Sequence, residues 1–248
     1  MDRFLYISMS GAKENMNALA IHGNNLANAN KIGFKSSFEQ ARSMQAYGVG
    51  LPTRVFSLTE EPGQNFESGA LQMTGRELDL SVQGDGWMVV QSQLGDQGMT
   101  RDGGLNIDRN GFLVDSKRNQ VLDENSQPII IPGPVEKLSI RRDGMIEIRP
   151  AGAPADGMED IARLKLANPD IRDLKRGADG LYRRIDGAEP LVDRGVSVQS
   201  GSLESSNINL STELTSLINL QRQFEMQIKM MKKAVEIDTA TDSLLRVG

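Results

Sequence analysis

The chain has 248 residues, a formal net charge of −5 at pH 7, no cysteine and only 4% aromatic residues. That length buries a real core, as one large domain or two small ones. The acidic balance and the scarcity of rings weigh against a nucleic-acid surface, and the absence of cysteine excludes a disulfide framework and thiolate metal sites.

The first segment has helical spacing. Leu5, Met9, Ala12, Met16, Leu19, Gly23 and Leu26 alternate steps of four and three, with Lys13, Glu14, Asn15 and Asn17 between them. This predicts an amphipathic helix over about residues 3–28, closed near Asn28 to Gly33 by residues that tolerate a left-handed turn. The stretch 23–35, GNNLANANKIGFK, then places four asparagines within seven residues where the apolar seam ends. Its amino-terminal neighbour, MDRFLYISMSGAKENM, has no basic region followed by a continuous apolar run, so any export is expected to proceed without an ordinary cleaved signal. No apolar run approaches the roughly 20 residues of a membrane span.

The texture changes over about residues 75–200. Leu78–Gln83, Leu138–Arg141 and Ile146–Arg149 alternate apolar and polar residues, and Trp87–Val90, Phe112–Val114, Pro128–Ile131, Leu164–Leu166 and Val196–Val198 are further short strand candidates. Arg109-Asn-Gly111 and Arg142-Asp-Gly144 read as hairpin turns. Pro/Gly punctuation at Glu61-Pro-Gly63, Ile131–Pro134 and Pro150–Pro154 flanks or interrupts this region. The last segment returns to the heptad: Leu210, Leu214, Leu217, Gln221, Phe224, Ile228, Met231, Val235, Asp238, Asp242 and Leu245 follow the same alternation. Ser211-Thr212-Glu213 offers caps, and a helix of about 35 residues spans on the order of 50 Å.

The fold class is therefore α+β: paired long terminal helices, coiled-coil-like, bracketing a central all-β domain. A stripe on a helix that long needs more partners than one neighbour supplies, which points to an assembly protein.

Chemical motifs give weaker signals. Ser10-Gly-Ala-Lys13 matches S-x-x-K without its companion elements. Asn106–Gly111 resembles half a calcium loop, but position twelve is Lys117 and the flanks read as strands, which favours a plain Asn-Gly hairpin. The sole histidine, His22, reads as a polar flank of the first helix, and the pairs Gly48/Gly50 and Gly84/Gly86 lack the rest of a dinucleotide site. Methionines at 9, 16, 226, 230 and 231 suit either adaptable core packing or a contact surface for non-identical neighbours. No catalytic, metal or cofactor residue is singled out.

NNLANANKIGFK closely resembles the amino-terminal signature of flagellar rod and hook proteins. Residues 201–209, GSLESSNIN, resemble the matching carboxy-terminal signature, and Gln221-Arg-Gln-Phe-Glu225 looks like that family's terminal helix. VQGDGWMVV, TRDGGLNIDRNGFLVD and GADGLYRR look like its β-domain phrases, and Lys31 stands where the family commonly has a small hydroxyl residue. Length and the opening MDRFLYISMSGA resemble the proximal-rod members most, with distal-rod members the nearest competitor.

The resemblance implies a structural subunit of the basal-body rod, without enzymatic activity or cofactor. Its terminal helices would pack with those of neighbouring subunits into the core of a helical tube, and the β domain would form the outer layer. The rod crosses the periplasm and transmits torque to hook and filament, so the chain is needed for motility. Partners would be other rod proteins, copies of itself and the type III export apparatus.

The expected organisation is an assembly helix and turn at 1–35, an extended linker at 36–74, a β-rich outer domain at 75–200 and a second assembly helix at 201–248. The expected interface comprises Leu5, Met9, Met16, Leu19, Leu26, Leu214, Leu217, Gln221, Phe224, Ile228 and Met231 on the helices, with Leu203 and Glu204 in the second signature. Asn24, Asn25, Asn28, Asn30, Asn207 and Asn209 would fix axial register, because a slipped carboxamide is left unpaired at about 1–3 kcal/mol. Gly33 would reverse the chain and Phe34 pin it. Both termini are expected to order only on docking. The rival from another class is a β-rich glycan-active enzyme with helical appendages.

Overall fold

The computed structural model describes residues 2–39, 41–45, 55–59, 63–154 and 157–245. Gly48, Gly50, Glu61 and Pro62 lie outside the described residues. The chain divides into two compact units: Met1–Ala29, Lys35–Asn65 and Ile208–Gly248 form one, and Asn30–Phe34 with Phe66–Asn207 form the other.

The first unit contains two helices, α1 at Asp2–Asn28 and α2 at Leu210–Leu245, which pack against each other. They bracket a β-rich middle, as the α+β expectation has it. The stretch expected as an extended linker carries pairings of its own. Ser37–Phe38 pairs with Gly63–Gln64, and Ala41–Gln45 with Val55–Thr59, both antiparallel. Farther on, Leu71–Met73 pairs with Ser202–Glu204 in the second unit.

The second unit is antiparallel throughout its described ladders. Its largest sheet runs Leu174–Arg176, Tyr182–Arg184, Gln97–Thr100, Trp87–Gln91, Gln120–Val121, Leu113–Val114 and Asn106–Ile107, with Leu166–Ala167 also on Trp87–Gln91. Val135–Ile140, Met145–Pro150 and Glu159–Arg163 form a three-stranded sheet, and Leu80–Gln83 pairs with Ser197–Ser200. The central strand WMVV is an unbroken apolar run because both its faces are buried. Met88 and Val90 enter a core with Leu105, Leu113, Val121, Ile146 and Leu164, while Trp87 and Val89 enter a second with Met99, Leu122, Leu174 and Tyr182.

One turn recurs six times among the described residues, at 92–96, 108–112, 115–119, 123–127, 141–145 and 177–181. In each, the first residue's amide donates to the fifth carbonyl and the fourth amide donates back to the first. The fourth residue is left-handed every time: Gly95, Gly111, Arg118, Ser126, Gly144 and Gly180. This is a type I turn closed by a bulge, whose left-handed position favours glycine. In three copies the first residue is aspartate, and Asp108, Asp115 and Asp123 each accept from the amides two and four residues on, at 2.8–2.9 Å.

The predicted hairpins at Arg109–Gly111 and Arg142–Gly144 are two of these turns. Pro128–Ile131 makes only single bridges, not a ladder strand. Ile129 donates to Val121 and Ile131 to Gly111, so the segment staples two different partners instead of extending one.

Candidate assembly site

In the helical unit, the residues of α1 that leave solvent include a line through Leu5, Ser8, Ala12, Asn15, Leu19, His22 and Leu26, alternating steps of three and four. On α2 the corresponding line is Glu213, Leu217, Leu220, Phe224, Gln227, Met231 and Ala234. These lines share Leu5, Ala12, Leu19 and Leu26 with the predicted stripe of α1 but replace Met9, Met16 and Gly23 with Ser8, Asn15 and His22. The reason is closeness. A Cβ on Gly11 would sit 2.6 Å from the amide nitrogen of Gln227, so small residues face the partner helix.

Met9 and Met16 are instead exposed, by 50% and 63%, together with Tyr6. On α2, Leu210, Leu214, Ile218, Met226, Met230, Val235 and Ile237 are exposed, as is Gln221, while Leu217, Phe224, Ile228 and Met231 are half-buried. Each helix thus carries bulky apolar side chains that the helix pair does not cover. The side chains of Asp242 and Leu245 lie outside the described residues.

A polar cluster joins α1, α2 and the chain after the turn. His22 Nδ1 lies 2.5 Å from Glu213 Oε2. Asn25, 1% exposed, donates to Ser37 O at 2.8 Å and to Glu213 Oε1 at 3.3 Å, and accepts from Ser37 N at 2.9 Å. Its carboxamide mimics a strand edge for the returning chain. Asn28 donates to Asn24 O at 2.6 Å and to Asn24 Oδ1, closing the last turn of α1. Asn25 and Asn28 therefore have partners within their own unit, whereas Asn24 and Asn30 are exposed.

Asn209 caps α2, accepting from the amides of Ser211 and Thr212. The cap expected at Ser211–Glu213 lies upstream because Glu213 reaches His22 and Asn25.

The turn residues 30–34 belong to the β-rich unit. Gly33 has φ +64°, donates to Glu204 O at 2.7 Å, and presses on Arg101, whose carbonyl oxygen would lie 2.3 Å from a Cβ. Phe34 is buried beneath the Arg176 guanidinium, 4.3 Å from the ring centroid, and its carbonyl accepts from Asn207 N. Asn207 also donates to Glu67 O. Leu203 lies half-buried in its strand opposite Gln72. Glu204 is buried in an ion pair with Arg101 at 2.9 Å, both side chains 2% exposed, and accepts from Gly69 N at 2.9 Å. Arg101 also donates to the Gly84 carbonyl and lies 5.2 Å from the centre of Trp87.

Expected interface residues from the two signatures are thus brought together: Gly33 and Glu204 meet at Arg101, and Asn207 donates to the carbonyl of Phe34, while Leu203 pairs across its strand with Gln72. Sequence reasoning missed Arg101, although it lies in the β phrase TRDGG. The available signal was chemical: a glutamate flanked by apolar and small residues in a strand needs a buried cation.

Among the described residues no group of three His, Asp or Glu side chains is placed to hold a metal ion, and no helix is long and apolar enough to cross a membrane. Long terminal helices with uncovered apolar sides, attached to a tightly cross-braced β unit, define a structural assembly protein.

The chain belongs to the flagellar basal-body rod protein family, whose members are structural rather than enzymatic. Residues 5–35 match the family model for the flagella basal body rod protein, 81–148 the D1 domain of flagellar hook protein FlgE/F/G, and 199–244 the C-terminal model of flagellar basal body rod FlgEFG proteins. The chain is 34% identical to the flagellar basal-body rod protein FlgF of Escherichia coli K12 over the whole of both chains. It is 30% identical to FlgF of Caulobacter vibrioides, covering 96% of this chain and 95% of the relative. The flagellar basal-body rod protein FlgG of Bacillus subtilis is 31% identical, with 96% and 97% covered.

Proposed function

We propose that this chain is a proximal-rod subunit that joins copies of itself and other rod proteins through the exposed sides of its terminal helices, forming a shaft that crosses the periplasm and transmits torque. A single observation carries this reading: beyond the line of each helix that leaves solvent, both helices keep bulky apolar side chains uncovered, Met9, Met16 and Tyr6 on one and Leu214, Ile218, Met226 and Met230 on the other. Burying half-exposed Met9 and Met16 against a neighbour contributes about 1 kcal/mol each, half of a full side-chain transfer, repeated at every contact along the shaft.

The helix pair leaves part of its apolar surface uncovered, so it gains order on docking. That suits passage through an export channel as an unfolded chain. In this scheme Asn30 and the amide nitrogen of Asn24 are the carboxamide groups available to fix register between neighbours, since Asn25 and Asn28 are engaged at home and Asn24 Oδ1 accepts from Asn28.

Met9→Gln with Met16→Gln tests the scheme in a strain lacking the native gene. The variant is expected to be exported and to keep its β unit folded, yet to leave the cells non-motile and without rods. Normal swimming would remove the exposed stripe from the mechanism. Rapid amide exchange across residues 5–26 of the free chain is the accompanying expectation.

A further inference from the structure

Two cations of the β-rich unit converge on one glycine. Gly180 holds the left-handed position of the 177–181 turn, and a Cβ there would lie 2.6 Å from Lys117 Nζ and 3.8 Å from Arg176 Nη2. Separate elements deliver the two: Arg176 ends the strand Leu174–Arg176, and Lys117 lies in the 115–119 turn. Neither is loose. The Arg176 guanidinium is half-buried over the Phe34 ring, 4.3 Å from its centroid, and Lys117 Nζ donates to Asp179 O at 2.8 Å. Glycine at 180 keeps the space between them free of a side chain.

Both are short of acceptors. Among the described residues the Arg176 guanidinium donates no hydrogen bond and has no carboxylate within 4.0 Å, so its five N–H groups are unused by the protein. The Lys117 ammonium has spent one N–H of three, on a neutral carbonyl. The carboxylates that feel the Lys117 charge are engaged elsewhere. Asp179 accepts from Arg183 at 2.6 and 3.1 Å, and Asp102 accepts from Gly104 N and Ser116 Oγ. Two cations held against one backbone point repel, and an anion between them removes that cost. A guanidinium fork fixed by stacking on a ring is the donor geometry that receives oxyanions.

We propose that Lys117 and Arg176 form a binding site for one oxyanion, a carboxylate or a phosphate, seated over Gly180. Charge-assisted N–H···O bonds of about 2.8 Å reach it from either side. The site goes beyond the proposed function and does not depend on it. Its consequence lies in the signature turn. Arg176 stacks on Phe34, whose carbonyl accepts from Asn207, so an anion that fixes the guanidinium braces the place where the two signature segments meet. A free ion and an acidic side chain of a neighbouring protein present the same group, and the test separates them.

Equilibrium dialysis of the full chain against radiolabelled inorganic phosphate, with ionic strength held by sodium chloride, tests the site. The free chain is expected to take up one phosphate saturably. Lys117→Met should weaken that uptake at least about tenfold, as loss of a charge-assisted hydrogen bond does, and Arg176→Met likewise. Lys175→Met removes the same charge from the opposite face of the strand and should leave uptake unchanged. Lys117 and Lys175 are exposed, so both variants keep the fold, which Trp87 fluorescence checks. Absence of saturable uptake overturns the proposal, whether or not rods form. So does uptake that Lys117→Met leaves at the parent's level, or that Lys175→Met weakens as much. Assembled rods then identify the source: uptake equal to that of the free chain marks a free ion as the ligand, and sites closed to phosphate only in rods mark a neighbouring subunit's carboxylate.

Discussion

Replacing Glu204 with alanine strands a guanidinium inside the β-rich unit. Glu204 Oε2 lies 2.9 Å from Arg101 Nη1 with both side chains 2% exposed, so water cannot replace the carboxylate without opening the core. Arg101 keeps the Gly84 carbonyl, the Ser68 hydroxyl at 3.4 Å and the Trp87 ring, all neutral, and its Nε already has no partner. Breaking a buried pair at one end costs about 3–5 kcal/mol, and the unpaired Gly69 amide adds about 1 kcal/mol. Taking the lower end of that sum, about 4 kcal/mol, against a domain stability of roughly 5–15 kcal/mol, the variant should retain a folded population with little margin. At about 3 °C per kcal/mol for a unit this size, its melting midpoint should fall by roughly 12 °C. Trp87 is the only tryptophan, 1% exposed and in contact with Arg101, so urea titration followed by its fluorescence reads this unit directly. Arg101→Met combined with Glu204→Leu should recover most of the loss, because an apolar pair removes both charges. Glu204→Ala within about 1 kcal/mol of the parent would refute the assignment of the pair as a brace.

Gly33→Ala should cost more than the roughly 1 kcal/mol of a left-handed alanine, because its methyl meets the Arg101 carbonyl at 2.3 Å; the same urea titration measures it, and rod assembly should fail with it. Arg118→Gly should stabilise by about 0.5–1 kcal/mol, since Arg118 holds the left-handed position that glycine fills in four of the six recurrent turns. Asp102→Asn should stabilise the unit at neutral pH: burial, aided by Asp115, pushes the Asp102 carboxyl above the usual carboxylate range against the Gly104 amide and Ser116 hydroxyl. A raised folded-state pKa means stability that is present below about pH 4 and lost as pH rises through the raised value. The advantage of the Asp102→Asn variant should therefore vanish on acidification, and an advantage constant from about pH 3 to pH 7 would contradict the burial argument.

The recurrent turn explains why some of the β region was legible and some was not. Arg109-Asn-Gly111 and Arg142-Asp-Gly144 announce themselves because glycine occupies the left-handed position. The copies at 115–119 and 123–127 place Arg118 and Ser126 there, and only the aspartate at the first position, satisfied by amides two and four residues on, betrays them. Arg101 was hidden for another reason. A single arginine just past the end of a strand reads as surface, and its role depends on Glu204, 103 residues away, which no local pattern connects to it.

The terminal helices were legible as elements, and the predicted stripe of α1 divides between a side that leaves solvent and a side that stays exposed. A heptad stripe fixes that a helix has a buried side, and sequence reasoning gives that side to the bulkiest residues. Here Met9 and Met16 lose the intramolecular position to Ser8 and Asn15, one residue away, a rotation of about 100° at each site. In a chain selected only to fold alone, that choice forfeits burial for nothing. It becomes favourable when that side is reserved for a neighbour, as proposed, while the His22–Glu213–Asn25 contacts hold register within the pair. On the proposed function, the exposed methionines and the His22–Glu213–Asn25 contacts are one arrangement: register is set within the chain, and part of the apolar surface remains for contacts between subunits.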